Sequence, residues 1–256
     1  MTRAFGRAVA MVLLLLAGLA ILAVVFPWAS DRKRNHLKRS WSRWVIAAAG
    51  LRLVSRPGTI HAPSRPTMIV MNHVSWLDII VLNAVMPVTF VAKSEIRSWP
   101  LVGLLAARTG TIFIERGSRH AVRRVNHEIV HRIERGEVVA FFPEGTTSDG
   151  RQVLPFHASL FAMAVPNSEH QRSGAVVVPM AILYRHRGQP TTQAAYIDDQ
   201  TLVGSMVNIL SLSGLEVILE ALEPVKADAT PDARHALAMQ TREHIAQAVS
   251  RHWGQA

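Results

Sequence analysis

The chain has 256 residues, enough for one α/β domain with an appendage and a hydrophobic core of its own. It has no cysteine, which excludes disulfides, thiolate metal sites and a cysteine nucleophile. Its net charge of +10 is lopsided: ten Lys or Arg face Asp31 alone in residues 1–60, while the remainder is near balance, so the excess points to anionic lipid headgroups and not to nucleic acid.

Ala8 to Phe26 is a run of 19 residues without charge or polar side chain, close to the ~20 that cross a bilayer core as a helix. Arg3 and Arg7 ahead of it would also suit a cleaved signal peptide. The run is longer than such a segment's apolar part, ends in Phe26, Pro27 and Trp28 at interfacial depth, and is not closely followed by an A-x-A site, so a retained anchor is expected. Arg32, Lys33, Arg34, Lys38, Arg39 and Arg43 outnumber the two arginines before the run, which predicts an inner-membrane protein with its bulk on the cytoplasmic side. Trp41 to Val54 reads as a short interfacial helix, with an ordinary core helix as the alternative. A single spanning helix and a two-helix hairpin within one leaflet both fit.

Pro57 to Pro66 is rich in Pro, Gly and Ser, which divides the chain into an anchor over 1–56 and a second domain over 57–256. Beyond it, strands are expected at Thr67–Met71, Thr89–Ala92, Thr111–Glu115 and Val138–Phe142, alternating with helices at Ser75–Val85, Ser98–Thr109 and Arg119–Arg135. Further strands are expected at Ala175–Leu183 and Leu215–Leu222, and a closing helix at Asp232–Trp253. This alternation predicts an α/β fold: a largely parallel sheet flanked by helices, with an N-terminal membrane-anchoring helix or helix pair.

Two polar clusters fall at strand ends, where such folds place chemistry. The first is Asn72-His73-Val74-Ser75-Trp76-Leu77-Asp78. Five residues apart on one helix, His73 and Asp78 would diverge by about 140°. They can meet only if His73 precedes the helix, which Ser75 as N-cap of an S-x-x-D box would allow. His73 then acts as a general base with Asp78 fixing its tautomer, or the two are a turn residue and part of a capping box. The second cluster, Phe141 to Gly150, offers Glu144, Thr146, Thr147 and Ser148 on a loop bent by Pro143, Gly145 and Gly150, suited to gripping a polar ligand or to being a solvated turn.

Together the clusters resemble the glycerolipid acyltransferase family that includes the 1-acylglycerol-3-phosphate acyltransferases. NHVSWLD matches that family's N-H-x-x-x-x-D motif, FVAKSEIRSWPLVG and FIERG its second block, FPEGTTSDG its third and VVVPMAI its fourth, in order over roughly residues 66–185. The resemblance implies that His73 deprotonates the acceptor hydroxyl, which attacks a thioester directly with Asp78 orienting the ring. It implies that Lys93, Arg116 and Gly117 face the acceptor headgroup. Asn72, Glu144, Gly145, Thr146 and Thr147 would shape the acceptor side, and Val178 with Pro179 the acyl pocket. The donor would be acyl-CoA or acyl-carrier protein, with no metal or other cofactor. The acceptor would be a lysolipid, foremost 1-acyl-sn-glycerol 3-phosphate. Thr147 departs from the family's F-P-E-G-T-R by removing a guanidinium, which keeps lyso-ornithine lipid open as acceptor. A noncatalytic membrane adaptor and a lipid thioesterase are the alternatives of other classes.

Overall fold

The N-terminal apolar run forms helix α1 (Thr2–Ala20), prolonged by a wide turn at Ile21–Val25 and a tight one at Phe26–Trp28. The computed structural model describes residues 2–55, 67–115, 119–165, 175–227, 230 and 232–254. Ser30 caps α2 (Asp31–Ala49), which returns antiparallel along α1. Trp41 Nε1 donates to the Leu14 carbonyl at 2.8 Å, while Arg7 lies against Gly50 at the far end of α2. Gly18 permits this approach, because a Cβ there would sit 2.9 Å from Trp41 Nε1. Arg3–Trp28 is long and apolar enough to cross a bilayer. It turns Met11 into the core and leaves Phe5, Val9, Val12 and Leu16 exposed as one stripe at helical spacing.

The expected interfacial helix at Trp41–Val54 is corrected. Gly50, left-handed at φ 68°, ends α2, and Leu51–Ser55 is strand β1. Val45, Ile46 and Ala49 are buried, so the second half of α2 is a core-packing helix that keeps Trp44 exposed. Lys38 and Arg43 fasten it further by donating to the carbonyls of Val88 and Ala84, beyond and within the last turn of α3 (Leu77–Val85).

Among the described residues seven strands follow β1: β2 (Thr67–Met71), β3 (Thr89–Lys93), β4 (Ile112–Ile114), β5 (Val139–Phe141), β6 (Val176–His186), β7 (Gln189–Pro190) and β8 (Leu215–Ala221). The sheet order is β1-β8-β6-β2-β5-β3-β4, with β7 paired to β6. Strands β2 to β6 are parallel, as expected from the crossover helices α3, α4 (Val102–Arg108) and α5 (Arg119–Glu134). Strand β8 is antiparallel to β6 because His186 and Leu215 share a register, so the chain re-enters the sheet at the end it left. Strand β1 pairs with β8 in parallel over Leu51–Ser55, and the segment ahead of residue 57 therefore contributes a strand to the sheet.

Alternate residues build two cores. Ile69, Met71, Met180 and Ile182 pack with α1, α2, α3 and α6 (Leu202–Ser211). Met68, Val70, Val177 and Ala181 pack with α5 and α7 (Ala233–Trp253) on the opposite face. Every residue of β2 is buried, the pattern of a strand covered on both sides.

Candidate active site

Strand β2 delivers the first motif to the carboxyl edge of the sheet. Asn72, wholly buried, donates its amide to the Ile182 carbonyl at 3.0 Å and accepts the Ile182 N–H at 2.8 Å. A carboxamide carries one donor and one acceptor in the arrangement of a peptide, so Asn72 extends the β2–β6 ladder by one rung after the backbone has turned away. Both ends of its side chain are spent there, which corrects its expected place among substrate-binding residues.

Helix α3 begins only at Leu77, so His73 precedes it and its ring can turn back to Asp78, with Nδ1 to Oδ2 at 2.8 Å. The capping box is half formed: Asp78 accepts the Ser75 N–H at 2.9 Å, but the Ser75 hydroxyl has no partner among the described residues and does not cap. Asp78 is wholly buried and also accepts the Val74 N–H at 2.7 Å through Oδ2 and the Tyr184 hydroxyl at 2.7 Å through Oδ1. An ionised carboxylate only accepts, so Nδ1 of His73 must carry its proton and Nε2 keeps the lone pair of a base. The ring stacks on Phe142 at 3.9 Å and 13°, and the side chain remains 18 % exposed, within reach of a substrate. Burial and the Asp78 carboxylate push the Tyr184 phenol well above its ordinary pKa, so it stays a donor.

The third motif holds the first in place. Glu144 is buried and divides its two oxygens between backbone N–H groups, Oε1 to His73 at 2.8 Å and Oε2 to Leu154 at 2.9 Å. The Ser148 N–H donates to the His73 carbonyl at 2.8 Å. The backbone of the proposed base is thus fixed on both sides by this loop, and Glu144 is a positioning residue instead of the acceptor-side contact expected. Burial, with some help from the Asp78 charge, pushes its carboxyl up to about 7 against the opposing pull of the Leu154 and His73 amides and Arg242. Gly145 supplies the left-handed turn at φ 67°, a conformation a side chain would resist. Thr147 donates its hydroxyl to the Tyr196 carbonyl, and Tyr196 donates its N–H to the Val74 carbonyl at 2.8 Å. Thr146 alone of the two threonines is exposed.

The other expected site residues are placed less closely. Lys93 ends β3, and β5 separates that strand from β2, which puts its Cα about 10 Å across the sheet from the β2 line. Val178 and Pro179 pair with Ile69 and Val70 inside the sheet, three to four residues before His73, and the β6 residue bound to Asn72 beside the His73 turn is Ile182. Arg116 and Gly117 lie outside the described residues. Tyr184 and Tyr196 were not singled out in the sequence, since each is brought to the turn from a distant segment with no local motif to flag it.

A family model described as acyltransferase matches residues 45–183, more than half of the chain. The chain belongs to the acyltransferase family. The match includes His73, Asp78, Glu144 and Thr147 and stops one residue short of Tyr184. A lyso-ornithine lipid O-acyltransferase of Pseudomonas aeruginosa is 36 % identical over 239 residues, covering 90 % of this chain and 89 % of its own. A 1-acyl-sn-glycerol-3-phosphate acyltransferase of Neisseria meningitidis serogroup B is 40 % identical over 169 residues, covering 64 % of this chain and 62 % of its own. The crystal structure of the acyltransferase PlsC from Thermotoga maritima shares the fold, with a TM-score of 0.64 at 21 % identity over 96 % of this chain and 97 % of that one. The long apolar helix of this O-acyltransferase fits association with a membrane.

Proposed function

We propose that this acyltransferase moves a fatty acyl group from a thioester donor to the free hydroxyl of a lysolipid. The observation that carries the reading is the buried Asp78 that takes Nδ1–H of His73 and leaves Nε2 as the acceptor. Nε2 removes the proton of the lysolipid hydroxyl as its oxygen bonds to the thioester carbonyl carbon. Collapse of the tetrahedral adduct breaks the carbon–sulfur bond, and the departing thiolate receives the proton from His73. Asp78 stabilises the imidazolium in between. The chain contains no cysteine, and the acyl group passes directly between the two substrates. The donor is acyl-CoA or acyl-carrier protein, and no metal or cofactor enters the reaction.

The acceptor expected from the sequence, 1-acyl-sn-glycerol 3-phosphate, has support in the Neisseria relative. A second reading, lyso-ornithine lipid, is favoured by a specific observation. Position 147 holds a threonine whose hydroxyl turns to the Tyr196 carbonyl and offers no positive charge to a phosphate. An ornithine headgroup, with both carboxylate and ammonium, needs such a charge less. The relative of that name also matches along nearly the whole chain. Arg32, Lys33 and Arg39 stand exposed on α2 and suit an anionic leaflet, which in our reading is the cytoplasmic face of the inner membrane.

A labelled acyl thioester offered with a panel of lysolipids tests both points. Diacylated product with either acceptor supports the reading, and the competition ratio selects the acceptor. His73→Ala should abolish product without altering the fold. Wild-type turnover in that variant would overturn the mechanism, and free fatty acid released with or without acceptor would identify a thioesterase.

A further inference from the structure

Helix α6 occupies a stretch of chain that no motif above explains. From Thr201 to Leu215 there is no charged residue, and the helix itself, Leu202–Ser211, is apolar yet too short to cross a bilayer. One side faces inward, with Ser205, Ile209 and Leu210 buried. The other presents Val203 and Val207, one turn apart and 70 % and 61 % exposed. Two exposed valines on a soluble surface would need no comment; their position beside the anchor does.

Helix α6 packs against α1, sharing with Met11 the cluster that buries Ile209 and Leu210. Arg7 of α1 donates to the carbonyls of Leu210 (3.1 Å) and Leu212 at the C-terminus of α6, the end where a cation is favoured. The two helices therefore form one unit, and the exposed face of α6 adjoins the helix that carries the stripe Phe5, Val9, Val12 and Leu16. At its other end, Leu202 lines an apolar groove of about 280 Å³ with Trp99, Pro100, Val102 and Tyr196. The helix is also tied to the catalytic turn, since Trp76 Nε1 donates to Ser205 Oγ at 3.2 Å.

We propose that α6 is a second membrane contact, with Val203 and Val207 seated at the boundary of headgroups and acyl chains next to α1. The partner is the lipid surface, because the face continues an element that already meets it and carries no charge to hold it in water. Anchored at both α1 and α6, the domain is fixed in orientation as well as in proximity. Through Trp76 this sets the turn bearing His73 at a constant depth against the leaflet that supplies the acceptor. The proposal rests on the membrane association of α1, and its test separates the two.

The absence of native cysteine makes site-directed labelling clean. Nitroxide labels at V12C on α1, V207C on α6 and M239C on α7 would be compared in vesicles of phosphatidylethanolamine and phosphatidylglycerol, by collision with oxygen against a water-soluble nickel chelate. Met239 is 74 % exposed on a helix of the opposite sheet face and reports water. Lipid-phase signals at 12 and 207 with an aqueous signal at 239 are expected. A label at 207 as wet as that at 239, with 12 in lipid, overturns the α6 contact and leaves the anchor standing; water at both 12 and 207 overturns the membrane reading and this proposal with it. The double variant V203D/V207D, whose changes lie on the exposed face, should keep wild-type melting in detergent and lose about tenfold in vesicle partitioning. Unchanged partitioning refutes the proposal.

Discussion

Replacing Tyr184 with phenylalanine removes one hydroxyl from beneath the His73–Asp78 pair and nothing else of the side chain. Tyr184 is 3 % exposed, and its hydroxyl meets Asp78 Oδ1 at 2.7 Å, whereas the His73, Val74 and Ser75 donors all converge on Oδ2. A hydrogen bond to an ionised acceptor is worth about 1.5–3 kcal/mol net. At ~2–4 °C per kcal/mol for a chain of this size, melting in detergent should fall by about 3–12 °C. The second effect is on rate. With Oδ1 released the carboxylate can rotate, and the Nδ1–H of His73 loses a fixed partner, so kcat should drop about tenfold, equivalent to about 1.4 kcal/mol at the barrier. KM for the lysolipid should stay constant, because the phenol lies under the site. Melting curves and initial rates over a range of acceptor concentration measure both. Wild-type stability and kcat, or a raised KM with kcat intact, would refute the role assigned to Tyr184.

Three further outcomes follow from other contacts. The Glu144 carboxyl, at about 7 when folded against 4.5 ordinarily, binds its proton more tightly in the folded protein, so its contribution favours folding below pH 4.5 and is lost as pH rises to about 7. The loss amounts to about 3 kcal/mol. Wild-type melting should therefore decline relative to Glu144→Gln across that window, and parallel pH profiles would contradict it. Gly18→Val drives a methyl group into Trp41, whose Nε1 lies 2.9 Å from the position of a Cβ, and should cost about 1–3 kcal/mol by prising α1 from α2; an unchanged melting temperature in detergent would count against the close packing. Thr147→Arg supplies the guanidinium missing from the third motif. It should raise kcat/KM for 1-acyl-sn-glycerol 3-phosphate over lyso-ornithine lipid by about tenfold, and an unmoved ratio would detach the acceptor preference from this position.

The meeting of His73 with Asp78 was one of two arrangements the local spacing allowed, and the catalytic role expected of them came from the resemblance. Five residues bridging a strand end and a helix start let His73 and Asp78 meet, and the apolar strand before them marks that start. Roles that depend on distant chain were not legible. Glu144 and Thr147 look alike in sequence as polar loop residues, and only tertiary pairing reveals that both brace the turn after β2. Asn72 was misread for the same reason, since its partner Ile182 is 110 residues away. Strand β1 was hidden inside a stretch from Trp44 to Val54 that is apolar except for Arg52, where a single Gly50 separates helix from strand and a hydrophobic run is compatible with both. Helix α6 follows a hairpin and carries no acidic or basic residue, so neither charge pattern nor motif set it apart.

The parallel pairing of β1 with β8 has a practical corollary for anyone wanting this enzyme without lipid. The hydrophobic lead segment is not a detachable tag. Trimming the chain at the proline-rich stretch removes the outermost ribbon of the sheet and leaves β8 with an unpaired backbone edge, open to adhesion between molecules. It also strips α2 from the face occupied by α3. A water-soluble version is better sought by repainting the outward stripe of α1 with polar side chains than by deletion.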